Sequence, residues 1–139
     1  MPELSPRLSR TTYTLTAYDY NLLLKNRIVA YRGETAESIK TGTHDDMMKS
    51  FVRDNLGDNS GTDYDGNAIT TRQVSDLIVD ADTSAGNTGY IIGAELENLL
   101  QTLQQLQADS VASGKEIFFG CYPNASYAPR FRTLSLIHI

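Results

Sequence analysis

The sequence predicts an α+β fold in which antiparallel or mixed sheet strands are covered by two amphipathic helices. Two stretches, HDDMMKSFVRDNLG (44–57) and GAELENLLQTLQQLQADSVASG (93–114), repeat apolar residues at helical spacing. TTYTLTAY near the start alternates, and KEIFFGCY and APRFRT near the end are apolar runs bounded by turn residues, as strands are. Strands and helices are mixed along the chain without repeats or low-complexity tracts, which is the order of an α+β domain.

Residues 1–10, MPELSPRLSR, hold basic side chains with no apolar run after them, so they read as a flexible leader and not a secretory signal. Tyr13, Leu15 and Ala17 alternate with Thr12, Thr14 and Thr16, the pattern of a half-buried strand. Asp19 offers an N-cap to a short helical turn through Leu22, Leu23 and Leu24, and RIVAY (27–31) is extended again. RGETAESIKTGT (32–43) is polar and holds two glycines, so a surface loop is expected.

Thr43 then caps the first long helix, with Asp46 in the place of a capping box and Asp45 beside it opposing the helix dipole. Met47, Met48, Phe51, Val52 and Leu56 share one side of that helix. Asp45, Lys49, Arg53 and Asp54 fall elsewhere, on what should be a solvated face. Gly57 stands where a left-handed residue would end the helix.

DNSGTDYDGN (58–67) is a polar loop, and RQVSDLIVDAD (72–82) returns to strand character with Leu77, Val79 and Ala81 on one face. TSAGNTG (83–89) reads as a flexible connector. In the second helix Leu96, Leu99, Leu100, Leu103 and Leu106 form the stripe, Glu95 and Glu97 favour its start, and Gly114 marks its exit. Its other side is amide-rich: Asn98, Gln101, Gln104, Gln105. KEIFFGCY and APRFRT make two strands joined by PNASY. The last six residues, LSLIHI (134–139), equal the in-frame translation of a transposon end used in sequencing libraries. The informative domain is therefore expected to span 11–133, to be an incomplete fragment, and to carry an adapter-derived tail. A truncated edge strand near Phe131 would then lack its partner, leaving monomers or loose aggregates.

The net charge of −5 is uneven: residues 1–40 carry +2 and the remainder −7. An acidic body without a basic stripe argues against nucleic acid, whose phosphates require clustered cations. No apolar run approaches the about 20 residues of a membrane span. A single cysteine, Cys121, excludes an internal disulfide and a cysteine-held metal cluster.

The candidate chemical groups all have plainer readings. His44, Asp45 and Asp46 are adjacent, and adjacent helical positions diverge, so they suit capping and a solvated face better than metal ligation. Asp58, Asp63, Asp65 and Asn67 resemble a calcium loop, but the late glutamate of an EF-hand is missing: Val74 or Ile69 stands there. A calcium-stabilised module would melt higher with calcium and lower with chelator. Cys121 sits in an apolar strand with no base beside it, and Met47 and Met48 are core filler. Glu95 and Glu97 point apart on their helix. No nucleophile elbow, Walker loop or dinucleotide fingerprint occurs. No catalytic, cofactor-binding or metal residue is expected, and no enzyme activity.

Taken in order, YTLTAYDYNLLLKNRIVAYRG, DDMMKSFVRDNLG, TRQVSDLIVDAD, LENLLQTLQQLQ, IFFGCY and FRT resemble a tail-protein family of long-tailed phages, similar to the baseplate hub or tail-tip proteins of siphoviruses. The resemblance covers residues 11–133. It implies a hub-like structural component of the virion tail, assembled in the bacterial cytoplasm as a homo-oligomeric ring. Its partners would be the distal tail protein, the tape measure or the fibre. Contacts are expected from the amide-rich face of 98–107 or the tyrosine-rich opening, Tyr13, Tyr18, Tyr20 and Tyr31. The alternative is an accessory part of a tail-associated cell-wall hydrolase whose catalytic domain lies beyond this chain.

Overall fold

The structure is a computed structural model; it describes residues 12–15, 19–30, 38–60, 65, 67–68 and 71–135. The elements run α1 (Asn21–Lys25), β1 (Ser38–Gly42), α2 (His44–Asn55), a 3-10 turn (Asp58–Ser60), β2 (Ile78–Val79), β3 (Tyr90–Ala94), α3 (Leu99–Ala112), β4 (Ile117–Pro123) and β5 (Pro129–Ser135). Strands and helices are interspersed around two sheets, an α+β fold.

Helix α2 starts where the sequence places it. The Thr43 hydroxyl accepts from the Asp46 N–H at 3.3 Å, relieving one of the unpaired donors of the first turn. Met47, Met48, Phe51, Val52 and Leu56 are all buried, as the helical spacing requires. The helix closes differently from expectation. Gly57 is not left-handed; a Cβ there would stand 3.0 Å from the Arg53 Cα, so the residue is small because backbone passes close by.

Helix α3 is capped by Asn98, whose side chain accepts from the Gln101 N–H at 3.3 Å. It packs Leu99, Leu103 and Leu106 inward and leaves through a left-handed Gly114 at φ 86°. Leu96 does not join the stripe. It lies before the helix, exposed and itself left-handed at φ 49°, because β3 runs through Gly93 and Ala94.

One sheet has the order β2-β5-β4, with β2 parallel and β4 antiparallel to β5. The β4–β5 hairpin predicted from KEIFFGCY and APRFRT is present, with Cys121 opposite Phe131. Phe131 is not on an edge: β5 is flanked on both sides, and Phe131 is buried. The strand expected over 72–82 shrinks to Ile78–Val79, and Ala81 faces solvent.

The other sheet is a two-stranded antiparallel ribbon of β1 and β3, with Thr41 opposite Ile91 and Ile39 opposite Gly93. β1 occupies part of the stretch expected to be a surface loop. Its single apolar residue, Ile39, gives no alternation to detect, and its partner strand is some fifty positions away. The inner face of the ribbon lies on α2, where Lys40 pairs with Asp54 and its ammonium sits 5.7 Å from the Phe51 ring centroid.

Of the opening strand expected from the Tyr13 alternation, residues 12–15 pair with no strand among the described residues, with Tyr13 and Leu15 exposed; Thr16 and Ala17 lie outside the described residues. The N-cap of α1 is Tyr20, without a side-chain capping bond, and not Asp19 as expected; Asp19 stands one residue earlier and accepts from the Asn21 N–H at 3.0 Å. Residues 27–30 form no strand but make one antiparallel bridge, Ile28 to Asn98; Tyr31 of the stretch expected to be extended lies outside the described residues. Val29 N–H donates to the Glu97 carbonyl at 2.7 Å and Leu99 N–H to the Arg27 carbonyl at 2.8 Å, tying this stretch to the start of α3. Buried Asn55 secures its far end, accepting from the Ala30 N–H at 2.8 Å and donating to the Phe51 carbonyl at 2.8 Å. Among the described residues no helix is long and apolar enough to cross a membrane.

Candidate functional site

The polar side of α2 bears His44, Asp45, Asp46, Lys49 and Arg53, and it is not a solvated face. Residues 80–86 lie along it as a strap running opposite to the helix. Arg53 donates to the Asp80 carbonyl at 2.9 Å and pairs with Asp82 at 2.8 Å. Lys49 Nζ donates to the Ala81 carbonyl at 2.7 Å. Thr83 gives Asp45 both its N–H and its hydroxyl, each at 2.8 Å. Ser84 does the same for Asp46, at 3.0 and 3.2 Å. The Ala85 carbonyl accepts from the Asp45 N–H at 3.2 Å. Gly86, left-handed at φ 104°, lies against His44, where a Cβ would come within 3.3 Å of Nδ1.

The TSAGNTG stretch expected to be a flexible connector is therefore, in its first half, a fastened strand of backbone. The helix supplies the fasteners. Positions four apart lie one above the other on a helix, which brings Lys49 Nζ to 2.7 Å from Asp45 Oδ1. From β5 the Thr133 hydroxyl also donates to Asp45. One carboxylate thus joins α2, the strap and the central strand of the larger sheet.

Asp45 and Lys49 are 0% and 1% exposed as side chains. Burial by itself would raise the Asp45 carboxyl. Hydrogen bonds from Lys49, Thr133 and Thr83 outweigh it and hold the group well below its ordinary 3.8. His44 is buried beside them, its ring 4.5 Å from the Tyr90 ring, and neither ring nitrogen has a hydrogen-bond partner. Burial lowers this imidazole below its ordinary 6.5, against a weaker opposing pull from Asp109.

A general acid, base or nucleophile must reach its substrate. His44, Asp45 and Lys49 are sealed from solvent in this structure, and every polar atom of the Asp45/Lys49 pair faces protein. What this arrangement does chemically is fasten one segment to another. The sequence signal for it was thin: Asp45 and Lys49 have the spacing of an ordinary surface pair, and Thr83 and Ser84 that of any polar loop.

The other groups weighed from the sequence are dispersed. Cys121 is buried in β4, and desolvation, aided by Asp19, pushes its thiol up to about 11. Asp58 opens the 3-10 turn, exposed, and Asp65 and Asn67 are exposed; Asp63 lies outside the described residues. Glu95 and Glu97 are exposed between β3 and α3, outside the helix whose start they are expected to favour, because α3 begins only at Leu99. Among the described residues no group of three or more His, Cys, Asp or Glu is placed to hold a metal ion.

The outer surface has a different character. On the ribbon's outer face Ile39 and Ile91 are 55% and 72% exposed, and Leu96, just past β3, is 62% exposed. Ile28, which bridges to Asn98, is exposed as well. Gln101, Gln104 and Gln105 of the amide-rich side of α3 face solvent. Of the opening tyrosines, Tyr13 is exposed and Tyr20 partly so, donating to the Tyr127 carbonyl; Tyr18 and Tyr31 lie outside the described residues. Compared with protein-family models, with curated proteins and with solved structures, the chain matches none.

Proposed function

We propose that this chain is a structural component of a phage tail tip or baseplate, working through protein–protein contacts in the virion. Two things support the reading. The ordered blocks from YTLTAYDYNLLLK to FRT resemble tail-tip proteins of long-tailed phages. The observation that carries it is where this fold puts its side chains: the charges of α2 are turned inward as fasteners, while Ile39, Ile91 and Leu96 are turned outward. Exposed apolar residues grouped on one face are what a partner surface needs.

In this reading the partners are the distal tail protein, the tape measure, the fibre or further copies of the chain, meeting through the ribbon face and the amide-rich face of α3. Antibodies raised against the chain and used for immunogold microscopy of particles from its source should label the distal end of the tail. Label confined to lysed cells, or clearing of cell-wall suspensions by the purified chain, would refute it.

A further inference from the structure

We propose that residues 80–86 are an acid-released cover: protonation of His44 frees this strap from α2 while the rest of the fold stays closed. His44 is 0% exposed, and neither ring nitrogen has a hydrogen-bond partner among the described residues. An imidazolium in that position would add a charge and two donors with nothing to receive them. The strap forms part of the wall that shuts the ring in: a Cβ on Gly86 would stand 3.3 Å from Nδ1 and 3.5 Å from the His44 Cβ. Lifting the strap is therefore a way for the charged ring to reach water without unfolding. What opening uncovers is the charged side of α2, Asp45 and Lys49 included. This device stands whether or not the chain belongs to a phage tail.

The strap is the segment that yields first. No residue from 80 to 86 is buried, and residues 81–84 are exposed. Polar bonds from Asp45, Asp46, Lys49 and Arg53 hold it, not buried apolar side chains. Segments of that kind open at a lower free energy than the core. Ser84 is held left-handed at φ 53°, which strains a residue that carries a side chain. Both ends stay tethered: the Asp80 N–H donates to the Phe131 carbonyl at 3.1 Å, and the Asn87 amide to the Ser113 carbonyl at 2.9 Å. The groups around the ring leave the response to His44. From α3, Asp109 favours the imidazolium, more weakly than burial opposes it. β3 presents the Tyr90 ring, and the strap from Thr83 to Gly86 has no titratable side chain. On α2 itself, Asp45 is paired with Lys49 at 2.7 Å and Asp46 is bonded to Ser84. Of these side-chain types only an imidazole ordinarily changes charge between about pH 5 and 8.

Amide hydrogen exchange of the full chain, read by NMR and corrected for intrinsic rates, tests it. Protection of the Thr83 and Ser84 amides should fall about threefold or more between about pH 7.5 and pH 5.5. At both pH values these amides should be about tenfold or more less protected than those of the β4–β5 hairpin, and insensitive to low urea, which marks an opening smaller than unfolding. His44→Leu keeps a buried apolar side chain and removes the proton acceptor, so its strap protection should no longer depend on pH. Asp109→Asn takes away the charge that favours the imidazolium and should keep the dependence or steepen it. Strap protection equal at the two pH values would overturn the proposal. So would strap amides as protected and as urea-sensitive as the hairpin, a pH dependence that survives in His44→Leu, or one that is lost in Asp109→Asn.

Discussion

Lys49 sits one helical turn after Asp45, its Nζ 2.7 Å from the carboxylate, and neither side chain reaches solvent. Removing either partner leaves the other charge buried and uncompensated. Lys49→Met and Asp45→Ala should each destabilise the fold by about 3–5 kcal/mol. The double variant should lose clearly less than the two single losses added together, because the residues interact directly. Urea unfolding of the four proteins checks this. Independent, additive losses would mean that the pair is not a unit.

His44 gives the fold a pH dependence of defined sign. Burial lowers its imidazole below its ordinary 6.5, against a weaker pull from Asp109. As pH falls through 6.5 the unfolded chain takes up a proton more readily than the folded chain, so stability drops. Above 6.5 both states are neutral and this contribution is fully present. His44→Leu should flatten the melting temperature between pH 7 and about pH 5. An unchanged slope in the variant would assign the pH dependence to other groups.

Two glycines separate backbone strain from packing of the strap. Gly86 and Gly89 are both left-handed, at φ 104° and 87°, but only at Gly86 would a Cβ press on His44. Gly89→Ala should cost about 1–2 kcal/mol, from the backbone alone. Gly86→Ala should cost more, and it should also raise amide exchange across 80–86. Equal losses at the two sites would mean that the strap does not lie tightly on His44.

The parts of this fold legible in the sequence are those with local causes. The Thr43 cap, the stripe through Met47, Phe51 and Leu56, and the β4–β5 hairpin each follow from residues close together in the chain. β1 was hidden because its outer face is exposed and Ile39 is its sole large apolar residue. Periodicity reads charge as exposure, so by pattern alone Asp45 and Lys49 belong to a solvated face. Their partners, Ala81, Thr83 and Thr133, are 32 to 88 positions away, beyond the reach of any local pattern. Residues 12–15 have the alternation of a strand but pair with no strand among the described residues.

The most direct measurement of the sealed cluster is the side-chain carboxyl resonance of Asp45, followed by carbon-detected NMR from neutral to acid pH. Its folded pKa is depressed, so the stability it contributes is present above the ordinary 3.8 and lost as pH falls further. The charged-form signal should persist below 3.8 and vanish only with the folded spectrum itself. A carboxyl that titrates near 3.8 while the chain remains folded would show that Asp45 meets water, and that the strap is not held as described.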